Sequence, residues 1–302
     1  MAGRKPAENA CRGKVSGRSI TSDKSMKKFE KNVSDTIKKY SLFSKNDKVL
    51  VACSGGKDST VALYILKKLG YDAEAITVDS AIGKYTKENL ENLRLICRDI
   101  GVKLHEISLR DEFGMSLCYI RSVLNSKGHP LKSCTICGVL RRYLLNREAK
   151  KINPDVIVTG HNMDDEAQSV MMNLFRGNLG FSARLGPKSG VGHNKNFVQR
   201  VKPLYFCSEK EVTDYCKKLG YKIEYGECPC SSDAYRREIK KMFLSMGSRE
   251  KIKENIIRSF IGILPKLKQY YNKGEVNICS RCGEPTNKDV CNACIILGKL
   301  KD

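Results

Sequence analysis

The sequence predicts an α/β protein built on a mostly parallel sheet, and three observations carry that expectation. Short β-branched runs alternate with helical patterns from about Lys48 to Leu219. One turn between them, Ser54-Gly55-Gly56-Lys57-Asp58-Ser59, has the make-up of a phosphate loop. From Asn277 onward the chain is short and rich in cysteine, as a small module of its own would be.

Phe29, Val33, Ile37 and Tyr40 recur at helical spacing, which predicts an amphipathic helix from about Lys24 to Tyr40. Lys48 to Cys53 is the first strand, Ala73 to Asp79 the second, Val102 to Ile107 the third and Val156 to Thr159 the fourth. Helical patterns separate them at Ser59 to Leu69, Lys87 to Ile100 and Val139 to Lys151. Alternation at these lengths means right-handed βαβ units. A fifth strand is expected over Phe197 to Leu204, then a helix over Glu209 to Leu219. From Tyr235 to Leu267 the pattern is helical and basic. The expected division is a basic arm at 1–23, a nucleotide-binding domain at 24–225, a helical basic segment at 226–274 and a Cys-rich module at 275–302.

The chain of 302 residues carries 55 Lys/Arg against 33 Asp/Glu, a formal net charge of +22. Such an excess points to a polyanionic partner, since each phosphate neutralised releases counterions. Trp is absent and aromatics make up 7%, which argues against a base-stacking platform and for a structured RNA read by shape. The first 28 residues hold eight Lys/Arg and two acids, the composition of a flexible basic arm or of a solubilising tail. No apolar stretch approaches the roughly 18 residues of a membrane span. Glu8 and Asp23 argue against a transit peptide, so a cytoplasmic location is expected. In that compartment the fourteen cysteines are metal ligands, redox groups or buried fillers rather than disulfides.

In the phosphate loop, glycines let the backbone approach an anion, and the helix that follows aims free N–H groups at it. Lys57 adds positive charge there. The spacing is not Walker A, which needs four residues between its first Gly and Gly-Lys-Ser/Thr; here Asp58 follows Lys57. Ligands of an open parallel sheet sit beyond the carboxyl ends of its strands. Those ends here are the loop, Val78-Asp79-Ser80, and Thr159-Gly160-His161-Asn162-Met163-Asp164-Asp165. Asp164 or Asp165 suits a magnesium ion on nucleotide phosphates, although helix capping accounts equally for one of the two. His161 is the one histidine at this edge, in a catalytic or a structural role.

Cys279-x-x-Cys282 and Cys291-x-x-Cys294, eight residues apart, form two knuckles suited to tetrahedral zinc. So short a segment has no core to fold it without metal. Cys134-x-x-Cys137 stands alone, open between a dithiol, half a zinc site and part of an iron–sulfur site. Cys228-Pro229-Cys230 offers a further thiol, and three cysteines from distant segments can ligate a cluster with one iron left open. Spacing alone does not separate that from a buried pair. Cys97, Cys118, Cys207 and Cys216 have the settings of core or surface thiols.

Together the loop, Cys134/Cys137, Thr159-Gly160-His161-Asn162-x-Asp164-Asp165-Glu166-Ala167-Gln168, Cys228-Pro229 and the terminal knuckles resemble tRNA 2-thiouridine synthetases. These are the TtuA/TtcA group of PP-loop ATPases, which includes the cytosolic thiouridylase catalytic subunit of archaea and eukaryotes. The resemblance runs from about Asp47 to the C-terminus. It implies a PP-loop ATP pyrophosphatase fold and an ATP-dependent sulfurtransferase with a [4Fe–4S] cluster, by position on Cys134, Cys137 and Cys228. Cys230 falls where the family more often has an aromatic residue. Arg141 replaces the family's usual Lys, which keeps the charge but loses acid–base chemistry. An N-terminal zinc knuckle common in the family is lacking, with only Cys11 before Cys53.

The implied mechanism binds ATP on Ser54, Gly55, Gly56, Lys57, Asp58 and Ser59, with adenosine near Val78, Asp79 and Ser80 and the far wall at Gly160, His161 and Asp165. The uridine C2 oxygen of a bound tRNA attacks the α-phosphate and pyrophosphate leaves. Sulfur then displaces AMP, as sulfide on the cluster's open iron or as a cysteine persulfide. Lys57 and Arg141 stabilise phosphate charge, and Asp58 or Asp165 places Mg²⁺. The sulfur donor is expected to be sulfide, a thiocarboxylated ubiquitin-like protein or a persulfide, and a homodimer is expected from the family. Two other readings compete: a PP-loop ligase with a nitrogen nucleophile, similar to lysidine synthetase, and a zinc-containing RNA-binding scaffold without catalysis.

Overall fold

The computed structural model describes residues 24–192, 197–221, 223, 228–231, 235–247, 249–272 and 277–301. The basic arm at 1–23, and the expected boundaries at 225/226 and 274/275, lie outside the described residues. In order, the elements are α1 (Lys24–Lys39), β1 (Val49–Ala52), α2 (Lys57–Lys68), β2 (Ala73–Asp79), α3 (Gly83–Asp99), β3 (Leu104–Ser108), α4 (Leu109–Phe113), α5 (Leu117–Ser126) and α6 (Ser133–Ile152). They continue with β4 (Val156–Thr159), α7 (Met163–Phe175), α8 (Leu179–Ser182), β5 (Gln199–Val201) and α9 (Glu209–Leu219). A 3-10 turn at Pro229–Ser231 precedes α10 (Tyr235–Ser245), α11 (Arg249–Tyr271), β6 (Asn277–Ile278), β7 (Pro285–Thr286) and α12 (Asn292–Lys301).

Five parallel strands run in the order β3-β2-β1-β4-β5. Strand order reverses between β1 and β4, the place where a doubly wound sheet opens a crevice for ligand. Register makes this concrete: Ala52 pairs with both Ile76 and Thr159. The loop after β1 and the turn after β4 therefore leave the sheet at one level.

The strands lack the alternation of a half-wetted sheet because both faces are covered. Val49 and Val51 face a core with α1, α2, α3 and α9. Leu50, Ile76 and Ile157 face Ala149 of α6 on the other side. Met26, Phe29, Val33 and Ile37 form the buried stripe of α1, and each such burial contributes about 1.5–3 kcal/mol. Phe29 meets Tyr215 of α9 with ring centroids 5.0 Å apart.

Three departures from the sequence-based expectation have local causes. α6 begins at Ser133 rather than Val139: its buried row Ile136, Leu140, Leu144 extends one turn further back, among cysteines that blur the period. α5 was not expected; Leu117, Ile120 and Leu124 bury one face, and the Ser116 hydroxyl caps it by accepting from Tyr119 N–H at 3.3 Å. β5 keeps only three residues of the eight expected. The Cys-rich tail is docked. Cys279, Cys291, Ala293 and Ile296 share a core with Ile120 and Leu124 of α5 and Ile136, Leu140 and Leu144 of α6. Buried Glu284 accepts from Lys150 at 2.8 Å and from Asn146 across the same seam.

Candidate active site at the switch point

Gly55 adopts φ +78°, and a Cβ there would lie 2.4 Å from the Asn89 carbonyl, so only glycine fits. Ser59 holds the loop closed: its hydroxyl accepts from Ser54 N–H at 3.2 Å and donates to the Gly56 carbonyl at 3.1 Å. Gly56 caps α2 without a side chain, leaving the first-turn N–H groups open toward an anion. Gly160 makes the opposing wall, where a Cβ would meet Ser59 N at 2.6 Å. The two ligand-binding turns thus touch backbone to backbone.

Lys57, mostly buried, lies 3.2 Å from Glu209 and 3.1 Å from Asp58. Burial works against its charge, but these two carboxylates outweigh it and hold the ammonium above its ordinary value. Asp58 is lifted above its ordinary value, first by burial and further by Asp165, against the pull of Lys57. Asn162 joins the two acids. Its amide donates to Asp58 at 2.9 Å while its oxygen accepts from Asp165 N–H at 3.1 Å, and Asp165 returns a carboxylate to Asn162 N–H. A carboxylate whose charge is disfavoured by burial and by a second carboxylate beside it suits a divalent cation. Arg236 of α10 braces Asp165 at 2.9 Å.

Asp164 has other work. It is buried, accepts from Glu209 N–H at 2.8 Å and is ion-paired with Lys253 of α11. It staples α7, α9 and α11 and does not face the phosphate loop, so of the two aspartates considered for magnesium only Asp165 lies beside Asp58. His161 sits exposed at the rim with Nδ1 2.9 Å from Thr159 Oγ1.

The end of β2 brings thiols to the same edge. Val78 and Ser80 are buried there, Asp79 accepts from Ala81 N–H at 2.7 Å, and Ser80 Oγ lies 3.4 Å from Cys137 Sγ. Cys134 and Cys137 occupy the first turn and a half of α6. Arg141 follows one turn on, on the face of Cys137. Cys134 Sγ donates to the Cys230 carbonyl at 3.8 Å, which brings the Pro229 turn and half-buried Cys228 over the start of α6. Such a spread set suits a cluster, whose thiolates stand further apart than those of one ion.

The tail holds a tight set. The Sγ atoms of Cys279, Cys282, Cys291 and Cys294 all lie within 4.8 Å of one another, as one tetrahedral ion requires. Cys291 N–H donates to Cys279 Sγ at 3.2 Å and Cys294 N–H to Cys291 Sγ at 3.4 Å, the knuckle pattern that favours thiolate.

Sequence reading missed Glu209, Arg236, Asn89 and the bridging role of Asn162. The Asn162-x-x-Asp165 capping pattern was visible in the chain. The reach of Glu209 and Arg236 to the site follows only from tertiary packing.

The chain is similar to known proteins over most of its length. A family profile described as a PP-loop domain matches residues 24–243. The tRNA-5-methyluridine(54) 2-sulfurtransferase of Pyrococcus horikoshii is 32% identical over 91% of this chain and 86% of its own length. Cytoplasmic tRNA 2-thiolation protein 1 of Drosophila erecta is 34% identical over 90% of this chain and 79% of its own. Among solved structures, the U34-tRNA thiolase NcsA from Methanococcus maripaludis with its [4Fe-4S] cluster superimposes with a TM-score of 0.71 at 28% identity, covering 90% of this chain and 87% of that one.

Proposed function

The chain belongs to the PP-loop family, in its tRNA 2-thiolation branch, and on that premise we propose that it is an ATP-dependent tRNA-uridine 2-sulfurtransferase of the cytoplasm. The observation that supports it most is the 3.4 Å contact between Ser80 and Cys137, which joins the nucleotide edge to the thiol wall.

ATP lies with its phosphates on the α2 N-terminus and its adenosine along Val78–Ser80. The uridine C2 oxygen attacks the α-phosphate, the bond to pyrophosphate breaks, and the adenylated base carries a good leaving group. Lys57 and Arg141 stabilise the developing charge. Asp58 and Asp165 hold Mg²⁺, which offsets the triphosphate charge. Glu209 keeps Lys57 charged and aimed when no nucleotide is present. Cys134, Cys137 and Cys228 hold a [4Fe–4S] cluster, which when bound presents sulfur to the activated carbon. Sulfur replaces oxygen at C2 and AMP departs. The four tail thiolates hold structural zinc.

The sulfur donor is free sulfide, a thiocarboxylated ubiquitin-like protein, or a persulfide whose outer sulfur is released when a second thiol reduces it and a disulfide forms, and the functional unit is a homodimer. A nitrogen-nucleophile ligase needs no thiol wall at this edge, and a non-catalytic scaffold needs no assembled Lys57–Asp58–Asp165 set. The test is anoxic reconstitution followed by nucleoside mass spectrometry of tRNA. Cys134→Ala, Cys137→Ala and Cys228→Ala should each abolish cluster uptake and 2-thiouridine formation, with Cys230→Ala retaining both. Zinc at these cysteines, or aerobic activity without iron, would replace the cluster with a persulfide carrier. The same digest distinguishes uridine 54 from uridine 34 as the modified site.

A further inference from the structure

Two thiols beside this site have no part in the mechanism. Cys118 Sγ, exposed in the first turn of α5, lies 3.9 Å from Cys230 Sγ, half-buried in the 3-10 turn. The residues come from segments 112 positions apart, so the approach is made by the fold and not by local sequence. Both flanks are tied to the active edge. Leu117 N–H, next to Cys118, donates to the Ser80 carbonyl at 3.1 Å, and the Ser80 hydroxyl touches Cys137. On the other flank, the Cys230 carbonyl receives the Cys134 thiol at 3.8 Å, and Pro229 fixes the backbone between Cys230 and Cys228.

We propose that Cys118 and Cys230 form a peroxide-reactive dithiol that closes reversibly to a disulfide, latching the turn that carries Cys228 onto the N-terminus of α5. α5 is the fixed side, because its first residue is hydrogen-bonded to the sheet edge. The turn is the side that is held. Closing 3.9 Å to a covalent S–S bond of about 2.05 Å asks for a small shift of one side chain or the other.

The chemistry balances with a hydroperoxide as oxidant. The exposed Cys118 sulfur attacks one peroxide oxygen, the O–O bond breaks, and a sulfenic acid and one water form. The Cys230 sulfur then attacks the sulfenyl sulfur, the S–O bond breaks, and a second water leaves as the S–S bond forms. Two thiols lose two electrons and two protons, and hydrogen peroxide becomes two waters. A dithiol reductant returns both thiols by exchange. The latch keeps Cys228 over the start of α6 while the cluster cysteines are vacant, and it spares Cys228 from pairing with Cys230. Formation of the bond is independent of whether the neighbouring cysteines hold iron; only the benefit to Cys228 rests on the proposed function.

Full-length, cluster-free protein is treated with graded hydrogen peroxide, blocked with an alkylating reagent and mapped without reduction. A Cys118–Cys230 peptide should be the first cross-link to appear and should vanish on treatment with dithiothreitol. Cys230→Ser should stall Cys118 as a sulfenic acid trapped by dimedone, and Cys118→Ser should lose the cross-link without that adduct on Cys230. Hydrogen exchange across 228–231 should slow in the latched protein and not in Cys118→Ser treated alike. A first cross-link between Cys134 and Cys137, a pairing of Cys230 with Cys228, or an exchange rate unchanged by the cross-link would each overturn the proposal. Anoxic thiolation by Cys118→Ser should match the unaltered chain, so loss of thiolation there would also refute it, whereas failure of Cys134 or Cys137 variants to lose iron would bear on the cluster alone.

Discussion

Asp164→Asn should unfold this protein more readily without weakening nucleotide binding. Asp164 and Lys253 are both buried, with side chains 8% and 11% exposed. Neutralising the aspartate leaves the ammonium of Lys253 without its counter-charge, and breaking one side of a buried pair costs about 3–5 kcal/mol. The asparagine oxygen can still accept from Glu209 N–H, so the α9 cap survives and the loss is electrostatic. At the lower bound of about 3 kcal/mol, the thermal midpoint of a chain this long should fall by about 5 °C. Adding Lys253→Met removes the orphaned charge and should restore most of that loss, since an apolar replacement of a whole buried pair is often neutral. The assay is a four-protein cycle of denaturant and thermal unfolding, with Mg-ATP affinity measured on each folded variant. An unchanged midpoint with weakened Mg-ATP binding would refute the assignment and return Asp164 to the metal site. A double variant no better than the single would show that the pair is not the source of the loss.

Gly160→Ala should lower ATP affinity sharply in a folded protein, because the new Cβ meets Ser59 N at 2.6 Å and pushes the two binding turns apart; calorimetric titration against the unaltered chain reads this directly. In the tail, burial pushes the Cys279 thiol up, but N–H groups of Cys291, Arg281 and Cys282 outweigh it and bring it down to about 6. A folded-state value below the unfolded one stabilises the thiolate above the ordinary value of about 8.5, and that contribution is lost as pH falls through about 6. Metal release, followed with a chromogenic chelator, should increase as the pH falls, because protons compete with the ion for all four thiolates, and Cys291→Ser should release the ion at neutral pH with ATP binding kept. Deleting residues 1–23 should flatten the dependence of log K for tRNA on log salt, as fewer phosphates are neutralised.

The parts of the fold legible in the chain were those with a strong local period. β2 and α9 were expected at their observed limits, because Ala75-Ile76-Thr77-Val78 between the Gly70 turn and Asp79 marks the strand and a Ser208-to-Gly220 cap pair marks the helix. The phosphate loop and the tail knuckles were legible because their chemistry is contiguous. α5 was not, since Leu117, Ile120 and Leu124 keep helical spacing over only ten residues, too short a stretch to stand out until Ser80 and α6 pack against it. At the site, residue types pointed to Lys57, Asp58 and Asp165 together, but Asp164 and Asp165 are neighbours of like chemistry. Only the arrival of Lys253, 89 positions away, separates the one that holds helices from the one that faces ligand. The pairing of Cys118 with Cys230 was invisible for the same reason.

With zinc on the four tail thiolates, as proposed, docking of the tail would make that metal a guard against self-association. Ile120 and Leu124 of α5, and Ile136, Leu140 and Leu144 of α6, share one core with the four-thiol hairpin and α12. Stripping the ion frees a segment too small to stay folded alone, and the ridge it covered meets water as one contiguous oily strip. Patches of that kind seek one another. A preparation starved of zinc would then turn cloudy before it lost its grip on ATP, and the amount of soluble protein recovered from cells would track the metal in the growth medium.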